Sequence, residues 1–188
     1  MRYVFLTTLL FAIAGCCRAP MSEITQPMNT ELWWSYLADY DGVPGSTVIN
    51  LALKARAPIR DRTALLVTGV SFSSRPEKLG LPDASELDSL NRLSTKRLNM
   101  LRTHSPSLFA GAFTHKNERL DYIYVADPAG LEEALRRFYV MECPTRQPYI
   151  NLKRDPQWEV YSGFLYPNAQ ILEHNRTELI KLGVLKPQ

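Results

Sequence analysis

Apolar side chains fall on alternate positions at Leu32, Trp34, Tyr36, Ala38 and Tyr40, the period of a strand with one buried face. Asp41-Gly42 follows, a dipeptide suited to a tight hairpin, and the alternation resumes through Thr47, Ile49, Leu51 and Leu53. Pro58 and the charged Arg60-Asp61-Arg62 close this second strand. Residues 64–72 are more uniformly apolar and rich in β-formers, which predicts a third strand inside the sheet.

The period then changes. Asp83 with Glu86 three residues on has the form of a capping box. Leu87, Leu90, Leu98 and Leu101 lie near one face of a helix that ends before Ser105-Pro106. Strands are predicted at 107–114 and 119–125, joined by the polar turn His115-Lys116-Asn117-Glu118. Asp127 as cap and Pro128 at the first helical position open a second helix, with Leu131, Ala134, Leu135 and Phe138 toward the core. A strand at 149–153 and an amphipathic helix at 170–182 complete the order β-β-β-α-β-β-α-β-α. This describes an α+β domain, a mainly antiparallel sheet with two or three helices packed on one face. Ferredoxin-like topology is one description of it.

Alternation along a strand sends Trp33 and Trp34 to opposite faces. If helices cover one face, the other is free to carry aromatic rings from three separate segments. Trp33, Tyr36, Tyr122, Tyr124, Trp158 and Tyr161 are therefore the candidate binding surface, because exposed aromatic patches mark interaction sites. The competing reading places most of these rings in the core.

The N-terminus sets the expected address. Arg2 precedes an apolar run at 4–14, broken only by Thr7 and Thr8. As a helix that run would span roughly 16 Å, against a hydrocarbon core of about 30 Å, so it fits a signal peptide better than a membrane span. Ile13-Ala14-Gly15-Cys16 resembles the lipobox of bacterial lipoproteins, with Cys16 as the acylated first residue of the mature chain. Two or more acyl chains anchor a protein stably, whereas one does so only marginally. Cys17 stands where Asp would favour inner-membrane retention, so the expected location is the outer membrane, facing the periplasm. Cleavage after Ala12-Ile13-Ala14 would instead give a soluble periplasmic protein, and a start at Met21 or Met28 a cytoplasmic one. The expected organisation is a signal peptide at 1–15, a lipid-anchored linker at 16–30, a domain at 31–168, and a C-terminal helix and tail at 169–188.

Composition adds little to this picture. The net charge of +3 is too mild to argue for nucleic acid or for an anionic membrane surface. A Cys17–Cys143 disulfide would tie the linker to the body, and Cys143 reads more simply as a half-buried thiol. His104, His115 and His174 share no ligand spacing, so no metal is expected. No phosphate loop, Gly-x-Ser-x-Gly elbow or Ser-x-x-Lys is present, and neither a catalytic residue nor a cofactor is assigned. Asp121, between aromatic neighbours, is expected on the polar face of a half-exposed strand. Asp155, before Pro156, is expected as a turn residue bonding its own backbone.

Several spaced motifs point to a family. Asp41-Gly42-x-Pro44, Gly80-Leu81-Pro82, Leu120-Asp121-Tyr122-Ile123-Tyr124, Asp155-Pro156-Gln157-Trp158 with Tyr161, and Leu165-Tyr166-Pro167 occur in order. Together they resemble the bacterial domain-of-unknown-function family 695 over residues 31–168. The resemblance implies no activity, ligand or catalytic residue. Some relatives continue into a domain like the regulator of ribonuclease activity B, and residues 175–183 resemble its opening helix, with the rest of that domain expected to be absent or vestigial. The expected function is a non-catalytic, envelope-anchored domain that binds a protein or small ligand. Two alternatives are a hydrolase with a site assembled from distant residues and, for a cytoplasmic start, a regulator of a nucleic-acid enzyme.

Overall fold

The computed structural model describes residues 31–187; the leader, Cys16 and Cys17 lie outside them. The first alternating stretch forms β1 (Trp33–Tyr40), paired antiparallel with β2 (Val43–Asn50), Trp34 opposite Ile49 and Tyr36 opposite Thr47. Asp41 and Gly42 take φ of 55° and 79°, the left-handed geometry of a two-residue hairpin turn. The Gly42 N–H donates to Asp39 Oδ1 at 2.9 Å.

The second strand ends earlier than its alternation predicts. Asn50 Oδ1 accepts N–H groups from Leu32 and Ala52 and caps a 3-10 turn at Leu51–Ala55. Leu51 and Leu53 remain buried, but on that turn. The uniformly apolar third stretch is β3 (Ala64–Ser71), buried at all but its last position.

α1 (Ala84–His104) starts where the capping signal falls, with Asp83 accepting the Glu86 N–H at 2.9 Å. That hydrogen bond is the main reason the Asp83 carboxyl titrates below its ordinary range. β4 (Ser107–His115) and β5 (Glu118–Val125) follow as a hairpin. α2 (Leu131–Glu142) begins three residues later than predicted. Asp127 Oδ1 accepts the Ala129 N–H and closes a turn, so the helix opens after Gly130, at φ 70°. Its core face is the predicted one, with Leu131, Ala134, Leu135 and Phe138 all buried. β6 (Pro148–Arg154) then pairs with β3.

All pairings are antiparallel, in the order β1-β2-β4-β5-β3-β6. The β3-α1-β4-β5-α2-β6 unit is the ferredoxin-like split βαβ, extended beyond β4 by the β1–β2 hairpin. α1 and α2 share one sheet face, where Leu90, Leu101, Leu135 and Phe138 meet Leu66, Val70, Ile123 and Val125.

The opposite face is also covered. After β6 the chain turns back across it through a π-turn (Tyr161–Leu165), α3 (Ala169–His174) and α4 (Arg176–Lys181). The predicted closing helix is thus broken. Asn175 donates its side-chain amide to the Ile171 carbonyl, a local bond that competes with helical continuation. Leu179 is fully buried in the same cluster as Trp34, Ile49 and Tyr124, and Ile171, Leu172, Val184 and Leu185 pack against it.

Candidate functional site

The aromatic surface expected from sequence is for the most part a core. Tyr36, Tyr122, Tyr124, Trp158 and Tyr161 are all buried; among the six candidates Trp33 alone is substantially exposed. The cause is the segment after β6. Asp155 accepts the Glu159 and Val160 N–H groups at 2.8 and 3.1 Å, fixing the turn as its sequence position predicts, and also the Tyr124 hydroxyl at 2.6 Å. Trp158 stacks on Tyr124 and donates its indole N–H to the Arg62 carbonyl. The Tyr161 hydroxyl donates to Asn50 O, and Tyr36 to Leu165 O. The motifs around Asp155 and Leu165 are therefore a clasp that closes the sheet face. Burial, reinforced by Asp155, drives the Tyr124 hydroxyl far above its ordinary range; burial, opposed by Thr47 and helped by Tyr40, takes Tyr36 to about 12.

Under the helices lies a charged cluster that the hydrophobic pattern does not announce. Asp121 is fully buried, not on a half-exposed face, and pairs with Arg97 of α1. Arg97 also donates to Tyr139 Oη at 2.8 Å and Ser94 Oγ at 3.2 Å, while Tyr139 and Thr68 share a hydrogen bond of 2.7 Å. Arg119 Nε approaches the other Asp121 oxygen at 3.7 Å. Burial disfavours the Arg97 charge, yet Asp121 and Tyr139 outweigh it and its pKa is raised. Burial lowers the pKa of Arg119, with Asp121 opposing and Arg97 adding to the effect. Two signals could have found the cluster. Ser94 and Arg97 continue the Leu90–Leu101 stripe of α1, and Arg119 and Asp121 alternate onto one strand face.

Open space remains beside Trp33. On the α1 side of the sheet it meets Phe109 with ring centroids 5.2 Å apart. A cleft of about 410 Å³ lies between them and α1, with Leu98, Arg56 and Arg102 on its walls. Glu31 also lines the cleft and accepts the Trp33 indole N–H at 3.3 Å. Ser107 Oγ, on the same wall, is buried without a hydrogen-bond partner among the described residues.

The remaining candidates are dispersed. His115 stacks on Phe113 and approaches the Pro44 carbonyl, His104 bonds within its own helix turn, and His174 is exposed. Cys143 is a buried free thiol whose pKa is raised by burial, against the pull of Arg146 and Arg97. Among the described residues no helix is long and apolar enough to cross a membrane.

No curated protein and no solved structure matches the chain. The model of a family of unknown function, DUF695, matches residues 31–166, the span that holds the hairpin, the split βαβ unit and the clasp. The chain belongs to the DUF695 family.

Proposed function

We propose that the protein is an envelope lipoprotein, acylated at Cys16 and facing the periplasm from the outer membrane, whose domain is a non-catalytic binding module. The Trp33 cleft carries the binding half of this reading. Its size is that of a small-ligand site, and it combines aromatic walls with a few polar groups. Trp33, Phe109 and Leu98 suit an apolar or aromatic body, while Arg56 and Arg102 suit an acidic group attached to it. The two buried carboxylates are engaged within the fold, Asp121 by Arg97 and Asp155 by Tyr124 and two backbone N–H groups. Ile13-Ala14-Gly15-Cys16 supports the anchor.

Two measurements test the proposal. The intact mass of the protein from its host's membranes is expected to be that of a chain starting at Cys16 plus acyl groups, with membrane association lost in Cys16→Ala. An unmodified start elsewhere would remove the anchor. Of the three tryptophans, Trp34 and Trp158 are buried, so acrylamide quenching reports on Trp33. Protection by aromatic carboxylates, weakened in the Arg56→Gln, Arg102→Gln protein that keeps the Trp33 reporter, is expected; quenching unchanged across such a panel would remove the cleft.

A further inference from the structure

A second cleft, of about 320 Å³, lies on the opposite flank of α1, against the turn that follows α2. Ser89, Arg92 and Lys96 stand three and four residues apart and form one stripe along the helix. Thr145 and Arg146 face them from the turn, which is held by the Arg146 N–H on the Cys143 carbonyl at 3.0 Å. Hydroxyl, guanidinium and ammonium donors thus converge from two elements on one small volume.

Two of the cations are already positioned. Arg146 is oriented by Glu86 at 2.5 Å and by Ser89 Oγ at 3.3 Å, and Lys96 by Glu142 at 2.5 Å. Arg92 makes no hydrogen bond or ion pair among the described residues, and Asp88, one turn before it, forms none with it. Further positive charge lies behind the helix, where Arg97 of α1 and Arg119 of β5 share the single carboxylate of Asp121. A low-dielectric wall with uncompensated positive charge behind it raises the potential in the cleft before it.

We propose that this cleft binds a phosphate group, carried by a small phosphomonoester or by a phosphatidate headgroup. Arg92 supplies the uncompensated fork that matches phosphate oxygens, Lys96 and Arg146 the pre-positioned charges, and Ser89 and Thr145 the neutral donors. This site stands apart from the Trp33 cleft, and neither depends on the other.

The test is calorimetric titration of the purified protein with inorganic phosphate and with glycerol phosphate at constant ionic strength. It is read beside the doubly substituted Arg92→Gln, Lys96→Gln protein and Arg137→Gln, an exposed charge loss on α2 that lies outside the cleft. The proposal expects saturable binding that weakens at least about tenfold in the double variant, the loss of two charge-assisted contacts, and persists in Arg137→Gln. Vesicles with and without phosphatidate identify the source. Sedimentation with phosphatidate vesicles that free phosphate displaces points to the headgroup, and free-phosphate binding without sedimentation to a soluble ligand. Absence of saturable binding to both probes overturns the site, as does binding that all three proteins show equally. Both substituted residues are exposed on α1, and unchanged circular dichroism of the variants separates lost binding from lost folding.

Discussion

Trp158 lies flat on Tyr124, ring centroids 3.7 Å apart and planes 7° from parallel. Around that stack Asp155 bonds Tyr124 and caps the turn that delivers Trp158, so β5 and the C-terminal segment are fastened at one point. Trp158→Ala removes a fully buried indole and its hydrogen bond to Arg62 O. The expected cost is about 3–5 kcal/mol, a large part of a domain's stability, with Trp158→Phe costing clearly less. Urea unfolding checks this, and binding of a hydrophobic dye should rise as the clasp loosens. An unshifted midpoint in Trp158→Ala would show that the segment is held by something else.

The Arg97–Asp121 pair has a different signature. Each residue alone is expected to cost about 3–5 kcal/mol when removed, because its partner is left charged and buried. Asp121→Ala also leaves Arg97 and Arg119 facing each other without their shared carboxylate. Arg97→Met combined with Asp121→Ala is expected to cost well below the sum of the singles. Denaturant midpoints of the three variants close the cycle; strict additivity would mean the pair is not coupled.

Much of this fold is legible in period and caps. Alternation locates β1, the apolar run locates β3, and Asp83 marks the first residue before α1. The errors share a cause, side chains that bond locally. Asn50 ends β2 early, Asp127 delays α2, and Asn175 breaks the last helix. Each bond depends on a rotamer that polarity patterns do not encode. The aromatic surface fails for a topological reason. Pattern shows that Tyr36, Tyr122 and Tyr124 share a face, but not that residues 155–185 return to cover it. Trp33 escapes because it points to the other side, as alternation requires. The basic cleft is invisible in sequence because Arg92 and Arg146 meet only once α2 has packed beside α1.

Gly69 gives a backbone test of the β3–β5 pairing. A Cβ there would sit 1.8 Å from the Arg119 carbonyl oxygen, so the strands must separate or shift. Gly69→Ala is expected to destabilise by about 3 kcal/mol or more, the upper range for overpacking, and to disturb Arg119 and Asp121 beyond it. A Cβ at Gly163 meets nothing within 4 Å, and Gly163→Ala is expected to be neutral or mildly stabilising. Thermal unfolding of the two variants distinguishes a local clash from a general intolerance of glycine replacement. Equal losses at both positions would contradict the geometry.

The buried tyrosines predict where stability fails with pH. Burial raises Tyr36 to about 12 and Tyr124 and Tyr161 further, whereas a tyrosine in the unfolded chain titrates near 10. Above pH about 10 the unfolded state therefore releases phenolic protons that the folded state keeps, so it binds fewer protons and stability falls as pH rises. Below that value all these rings are protonated in both states, and their contribution is complete. The expected profile is a stability independent of these groups from neutral pH to about 10, then a steep alkaline decline. Tyrosinate absorbance from the buried rings should appear together with loss of circular dichroism, not ahead of it. Tyr36→Phe gives up the hydrogen bond to Leu165 O, expected to cost about 1 kcal/mol at neutral pH, yet its alkaline limb should be shallower by one titrating group. If Tyr36, Tyr124 and Tyr161 instead titrate freely near pH 10 with the fold intact, the aromatic face is open to solvent and the clasp does not close it.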